Sequence, residues 1–317
     1  MSPIEKGVVK PPLDSRIGRD APFEFGQRFL DESKDVFEHN AWDNVEWDDE
    51  QISQFEEAVA RQRSEPVAEH LAKEFNANPK KYWDIFYKNN GENFFKDRAW
   101  LEIEFPLLFE CTHADSGEKI VLEVGCGAGN TFFPLLERNE NKLLKAFACD
   151  YSDVAVELVK SNERFAKHSE NGNAFASVWD LANDDNKLPE GIKEESVDIV
   201  VLVFVFSALS PEQWFNAMKN LFKCLKPGGI ILFRDYGRYD LAQVRFKKSR
   251  YLNENFYVRG DGTRVYFFNE DELSELFSNN GFEVNKLACD RRLLVNRKKQ
   301  LKMYRNWIQG VFQKKLI

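Results

Sequence analysis

The sequence predicts an α/β fold, a doubly wound and mostly parallel sheet with helices on both faces, preceded by a helical extension. Three observations carry this. From Lys119 onward short apolar runs alternate with stretches of helical period, and strands alternating with helices imply right-handed βαβ units. The run Val121–Val124 passes directly into Gly125-Cys126-Gly127-Ala128-Gly129 and then a helical stretch, the arrangement needed where a backbone turns sharply and leaves N–H groups free at a helix start. The 317 residues are 43% hydrophobic and 30% charged, with 28 Phe and 7 Trp, which is enough to build a core and excludes a disordered or low-complexity chain.

The elements follow in order. Residues 1–22 carry Pro3, Pro11, Pro12 and Pro22 among scattered charges without apolar periodicity and read as an extended arm. Residues 23–110 read as a helical and aromatic extension. Phe25, Phe29, Phe37, Trp42 and Trp47 recur too densely to be left in water. Asp48–Phe75 reads as helix broken near Pro66, and Pro79 opens a helix over Lys80–Asn89 that Asn90-Gly91 stops. Residues 111–317 form the α/β domain, with strands at Ile120–Val124, Ala146–Cys149, Ala174–Val178, Val197–Val205 and Ile230–Phe233. Its helices are Thr131–Glu137, Val154–Ala166, Glu212–Leu225 and Glu270–Ser278. Phe282–Ala288 and Asn306–Gln313 read as two last strands, a hairpin-like pair at one edge, and a basic insertion occupies about 236–268.

Net charge is −8, but residues 240–317 carry 16 Lys and Arg against 9 Asp and Glu, leaving 28 against 43 for the rest. Such asymmetry suits a face that meets a polyanion. Five cysteines, an odd number with no Cys-x-x-Cys, and four His predict neither a disulfide framework nor a metal centre. The longest uncharged apolar run, Ile199–Leu209, is 11 residues, too short to span a membrane. The first 30 residues mix both charge signs, unlike a secretory or transit segment, so a cytoplasmic location is expected.

Asp150 ends the second strand, 21 residues beyond the last glycine of the loop, where a carboxylate can accept both hydroxyls of a ribose. A dinucleotide fingerprint would place its third glycine at position 130, which is Asn130. The observed G-x-G-x-G after the acid-bearing strand, with Glu123 before it, instead resembles motif I of class I S-adenosylmethionine methyltransferases, whose sheet is Rossmann-like and seven-stranded. Asp180-Leu181 after the third strand and Leu225-Lys226-Pro227-Gly228-Gly229 before the fifth match the same family. That resemblance implies S-adenosylmethionine as cofactor, with Asp180 placed for the adenine amine.

The fourth strand is followed by Phe204-Val205-Phe206-Ser207, neither the Asn/Asp-Pro-Pro-Tyr/Phe of exocyclic-amine methyltransferases nor a Pro-Cys nucleophile. An acceptor needing little activation remains, such as a ring nitrogen. Lys81–Lys88, Asn93–Arg98, Phe233–Asp240 and Glu254–Arg264 resemble signature blocks of the eukaryotic tRNA 3-methylcytidine methyltransferases, and Phe25–Leu30 with Val36–Val45 resembles the branch acting on threonine, and in some members arginine, tRNAs. This resemblance implies methylation of N3 of cytidine 32 in the anticodon loop. It implies Trp83 and Tyr87 beside the cofactor, with Gly125, Gly127, Asp150, Asp180, Leu181 and Val203 as the other contacts.

A methylated N3 is cationic, so a carboxylate near the ring would stabilise the charge as it develops. Asp235 is the candidate. Phe204, Phe206, Phe233, Tyr236 and Tyr239 are candidates to sandwich a flipped base. Arg245, Lys247, Lys248 and Arg250 form one basic run suited to an RNA backbone, joined by Arg98, Arg234, Arg259 and Arg264, and Arg291, Arg292, Arg297, Lys298 and Lys299 form another. The segment Phe23–Trp47 can cap the pocket, bind the anticodon arm or dock a helper protein. Two alternatives stay open: a methyltransferase of this fold acting on a protein or small molecule, and a non-catalytic tRNA-binding partner subunit, against which the intact glycines and acids argue.

Overall fold

The computed structural model describes residues 21–91, 96–98 and 100–316. Most of the proline-rich arm and Asn93–Phe95 of one signature block lie outside the described residues.

Strand β1 is Ala41–Asp43, and helices α1 (Asp49–Ser64), α2 (Glu69–Ala77) and α3 (Pro79–Asn90) follow. Asp48 caps α1 by accepting the Gln51 N–H, Glu65–Ala68 around Pro66 separates α1 from α2, and Pro79 opens α3. Short helices α4 (Leu101–Glu104) and α5 (Pro106–Glu110) lead into β2 (Lys119–Val124), α6 (Phe132–Glu137) and β3 (Leu144–Asp150). The expected helix Val154–Ala166 is two, α7 (Asp153–Ser161) and α8 (Glu163–Glu170), because Asn162 takes an extended backbone and its side chain caps α8. Then come β4 (Ala174–Val178), β5 (Val197–Val203), α9 (Pro211–Cys224), β6 (Leu225–Tyr236) and α10 (Leu241–Val244). A small sheet of β7 (Tyr251–Asn253), β8 (Phe256–Val258) and β9 (Arg264–Tyr266) precedes α11 (Glu270–Asn279), β10 (Phe282–Asn296) and β11 (Leu301–Lys314).

The main sheet runs β1-β10-β11-β6-β5-β2-β3-β4, parallel from β6 to β4 and antiparallel at β11, β10 and β1. It has one strand more than expected, because Ala41–Asp43 pairs with Arg292–Leu294 outside the hairpin and becomes the edge. Alternation along each strand divides the core into two layers. Val200 and Leu202 of β5 pack with α9 and α11 residues such as Leu221 and Phe277, whereas Ile199, Val201 and Val203 pack with Phe105, Phe132 and Val159 on the other face. The last hairpin is longer than expected. It continues beyond the Tyr236–Trp307 pairing with β6 to a tip at Arg297–Gln300, past the carboxyl end of the sheet where ligands of such folds bind. Trp42 is buried against Leu293 and Val295 of that extension.

Candidate active site

The site forms where the parallel strands end. At the exit of β2, Gly125 takes φ +65°, and a Cβ there would sit 2.3 Å from Val205 Cγ2, so only glycine lets the turn close against the β5 exit. Gly127 N–H donates to Asp150 Oδ2 (2.9 Å) and Ser152 N–H to Asp150 Oδ1 (2.9 Å), which pins the carboxylate at the end of β3. Burial pushes Asp150 up to about 6 against these hydrogen bonds. Asp180, partly buried beyond β4, is also raised by burial and accepts the Ala182 N–H (2.8 Å).

Helix α3 covers this floor. Ser152 Oγ donates to Asp84 Oδ1 (2.5 Å), and Lys80 pairs with Asp84 and Asp153, which fastens α3 to the start of α7. Trp83 and Tyr87 then stack at 6.1 Å and face the same pocket as Gly125, Asp150, Asp180 and Leu181, a recess of about 660 Å³ that opens to solvent. Gly127 stands behind Tyr87, whose hydroxyl oxygen would lie 2.8 Å from a Cβ there. Val203 is placed differently: it is 2% exposed inside the core layer that holds Phe105 and Phe132 and does not line the pocket. Tyr151 and Gln213 line it and are new from the structure. Tyr151 directly follows the strand-ending Asp150, and Gln213 is the third residue of α9, after the Ser210-Pro211 start, signals that a search for acids and glycines passes over.

A glycine cradle, two acids at successive strand ends and an aromatic lid make a donor set that fits S-adenosylmethionine. The glycine turn admits close backbone approach, the carboxylates retain acceptor capacity for hydroxyls and an amine, and the π faces favour a sulfonium.

Beside the pocket the chain leaves strand geometry one residue after Val203. Phe204 has φ +60°, its N–H donates to Arg234 O (2.8 Å), and its ring meets Tyr236 at 4.9 Å. A bulky residue held in that region marks backbone strain, which tends to be kept at functional sites. Under this pair Asp235 is fully buried, with Oδ2 accepting Ser207 N–H (2.9 Å) and Oδ1 accepting Tyr236 N–H (2.9 Å). Burial pushes it up to about 6, partly opposed by those bonds and by Arg259. Arg98 lies 6.0 Å from the Phe204 ring and Arg259 5.6 Å from the Tyr236 ring. Phe206 and Phe233 are wholly inside the core and Tyr239 packs on Phe55, so Phe204 and Tyr236 alone of the five candidate aromatics frame the site.

The candidate RNA contacts divide. Arg245, Lys247 and Lys248 are exposed on the insertion. Arg250 donates to Arg259 O (3.0 Å), and Arg259 donates to Arg264 O (3.3 Å), so both brace the insertion. Arg234 is corrected: it is 5% exposed, pairs with Asp290, donates to Gln309 Oε1 (2.6 Å), and lies between Trp100 and Trp307, out of reach of a phosphate. Arg264 is corrected likewise, being 3% exposed and part of the cofactor pocket wall. Arg98, half-buried, donates to Thr131 Oγ1 (3.1 Å) beside the Phe204 ring, and burial lowers its pKa against the pull of Glu123. In the second run Arg292 is bound to Asp290, while Arg297, Lys298 and Lys299 are exposed at the hairpin tip.

A family model described as a methyltransferase domain matches residues 67–287. The Saccharomyces cerevisiae tRNA(Thr) (cytosine(32)-N(3))-methyltransferase is 61% identical over 94% of this chain, which spans about half (47%) of that relative's length. The Schizosaccharomyces pombe tRNA N(3)-methylcytidine methyltransferase trm140 is 52% identical over 92% of both chains, and the Danio rerio tRNA N(3)-cytidine methyltransferase METTL2 is 44% identical over 92% of this chain and 90% of its own. Among solved structures, the Burkholderia thailandensis 1,6-didemethyltoxoflavin-N1-methyltransferase with S-adenosylhomocysteine has a TM-score of 0.50 at 15% identity, covering 79% of this chain and 92% of its own, and shares the fold. A sheet of this order, a glycine cradle answered by two strand-end acids, and 44–61% identity to these three proteins over more than nine-tenths of this chain lead to one conclusion: the chain belongs to the tRNA N(3)-cytidine methyltransferase family.

Proposed function

We propose that this chain methylates N3 of cytidine 32 in the anticodon loop of threonine tRNA, with arginine tRNA as a second substrate to be tested, using S-adenosylmethionine in the cytoplasm. The observation that carries the reading is the 52% identity shared with the Schizosaccharomyces pombe enzyme along 92% of both chains. The site is consistent with it in chemistry.

S-adenosylmethionine, when bound, supplies an electrophilic methyl group on a sulfonium. Asp150 would hold the ribose hydroxyls, Asp180 and Leu181 the adenine, the loop at Gly125 and Gly127 would admit close approach, and Trp83 with Tyr87 would cover the cofactor. N3 of neutral cytosine already carries a free lone pair, so positioning contributes more than a general base. Phe204 and Tyr236 stack against the base, which excludes water from it. Asp235 acts as an anion under the aromatic pair and stabilises the positive charge that grows on the base. Arg245, Lys247 and Lys248, with Arg297, Lys298 and Lys299 at the hairpin tip, hold phosphates. A helper protein for tRNA selection belongs to the reading only if the purified chain fails on threonine tRNA alone.

The test is transfer from labelled S-adenosylmethionine to total tRNA, followed by nucleoside digestion. Label is expected in 3-methylcytidine, mainly from threonine tRNA. Label that survives ribonuclease on protein or a small molecule would overturn the assignment.

A further inference from the structure

Arg264 belongs to strand β9 of the basic insertion, yet its side chain is buried and forms part of the pocket wall shared by Asp150 and Asp180. Its guanidinium reaches three separate parts of the chain. Nη1 donates to Asn76 Oδ1 (3.1 Å) in α2 of the extension. Nη2 donates to Ala208 O (3.3 Å), just past the β5 exit, and to Gln213 Oε1 (2.8 Å). That same oxygen accepts the Ser210 N–H (3.0 Å) in the capping box of α9. The guanidinium carbon lies 5.5 Å from the Phe256 ring, Nε has no hydrogen-bond partner, and no carboxylate lies within ion-pair distance among the described residues. Burial pushes its pKa down to about 10.

A buried cation with no carboxylate in contact, and only Glu212 among carboxylates pulling at longer range against burial, is costly, and packing alone would be served by an apolar side chain. What a planar five-donor fork provides is simultaneous attachment to acceptors in different directions, which a lysine's compact ammonium does not. We propose that Arg264 is a positioning residue that closes the cofactor pocket by clamping the insertion, helix α2 and the β5–α9 turn on one guanidinium, so that the segment facing the RNA sets the affinity for the cofactor. This rests on the reading that the pocket holds S-adenosylmethionine and the insertion meets tRNA. The coupling is reciprocal: whatever factor tRNA adds to cofactor affinity, the cofactor adds to tRNA affinity.

Calorimetric titration with S-adenosylhomocysteine, with and without threonine tRNA, tests it on the full chain. Arg264→Ala is expected to bind the nucleoside about tenfold or more weakly, the scale of lost charge-assisted hydrogen bonds, with Arg264→Lys recovering little. Millimolar guanidinium should restore affinity to the Ala variant, whereas equal urea should not. Asn76→Ala, at a residue that does not line the pocket, should also weaken cofactor binding, and the tRNA-dependent gain in affinity should fall toward one in both variants. Unchanged cofactor affinity in Arg264→Ala, or a loss that tracks a collapsed thermal midpoint and resists guanidinium, would overturn the clamp. Failure of the unaltered chain to bind S-adenosylhomocysteine would instead overturn the functional reading.

Discussion

Asp235 joins a structural task to the proposed chemical one, and pH separates them. Its carboxylate receives the backbone of Ser207 and Tyr236 with no exposure, and burial holds it at about 6 rather than near 3.8. A raised carboxyl pKa means the folded chain binds the proton more readily than the unfolded one. This group's unfavourable contribution is therefore full above about pH 6 and is relieved as pH falls toward 3.8. The proposed catalysis runs the other way, because only the anion stabilises a growing cation. At saturating cofactor, kcat should fall as pH drops through about 6, and Asp235→Asn should lower kcat by about tenfold or more while flattening that limb. A limb that persists in the variant would assign it elsewhere, and saturation keeps Asp150, which titrates in the same window, out of the comparison. Arg234 stands one residue away and does something unrelated. Burial raises the Asp290 carboxyl, but Arg234 and Arg292 outweigh that and hold it below its ordinary value. Arg234→Ala leaves Asp290 held by Arg292 alone and removes buried charge-assisted hydrogen bonds to Asp290 and Gln309, so it should lose about 1.5–3 kcal/mol in denaturant unfolding. The salt dependence of RNA binding should stay as it was. Sequence alone put Arg234 and Arg264 with the RNA contacts because an arginine's partner is set by tertiary pairing, and Asp290 is 56 residues away.

At the scale of elements, what was legible is what local periodicity encodes. The five parallel strands, the Pro-opened helix α3 and the glycine turn stand where apolar runs and punctuation residues place them. Strand β5 stops at Val203, though apolar residues continue, because Phe204 turns into positive φ to close on Arg234 O. Strand β10 continues through Asp290, Arg291 and Arg292, charges that read as a surface run; there Asp290 pairs with Arg234 and Arg292, and the Arg291 guanidinium lies over the Trp47 ring. The three-residue strands β1, β7, β8 and β9 are too short to show a period of two. Helix α3 ties this to function, since the Ser152–Asp84 and Lys80–Asp153 contacts hold it over the glycine turn. Trp83→Ala should therefore weaken S-adenosylhomocysteine binding by about tenfold, the worth of an aromatic contact with a desolvated cationic or stacked group. Thermal stability should change little, because Trp83 is only partly buried. Equal loss of stability and affinity would make it a packing residue.

The whole molecule is acidic, and that constrains how it meets a polyanion. Its net charge of −8 repels tRNA at long range, so binding must depend on where the positive charge is concentrated. The fold gathers it at two places: the insertion with Arg245, Lys247 and Lys248, and the hairpin tip with Arg297, Lys298 and Lys299, which projects past the carboxyl end of the sheet where the pocket opens. Each phosphate contact releases counterions and contributes roughly 0.7–0.9 to the slope of log affinity against log salt. If both clusters hold one RNA, replacing the three tip residues with Gln should reduce that slope by about two to three and weaken binding uniformly across tRNAs. Replacing the insertion cluster should do the same and add to it, because the two sets share no partners. Activity on a short single-stranded oligonucleotide carrying the target cytidine separates the roles further. The tip substitutions should leave it unaffected if the hairpin grips the stem, and should reduce it if the tip instead contacts the loop itself.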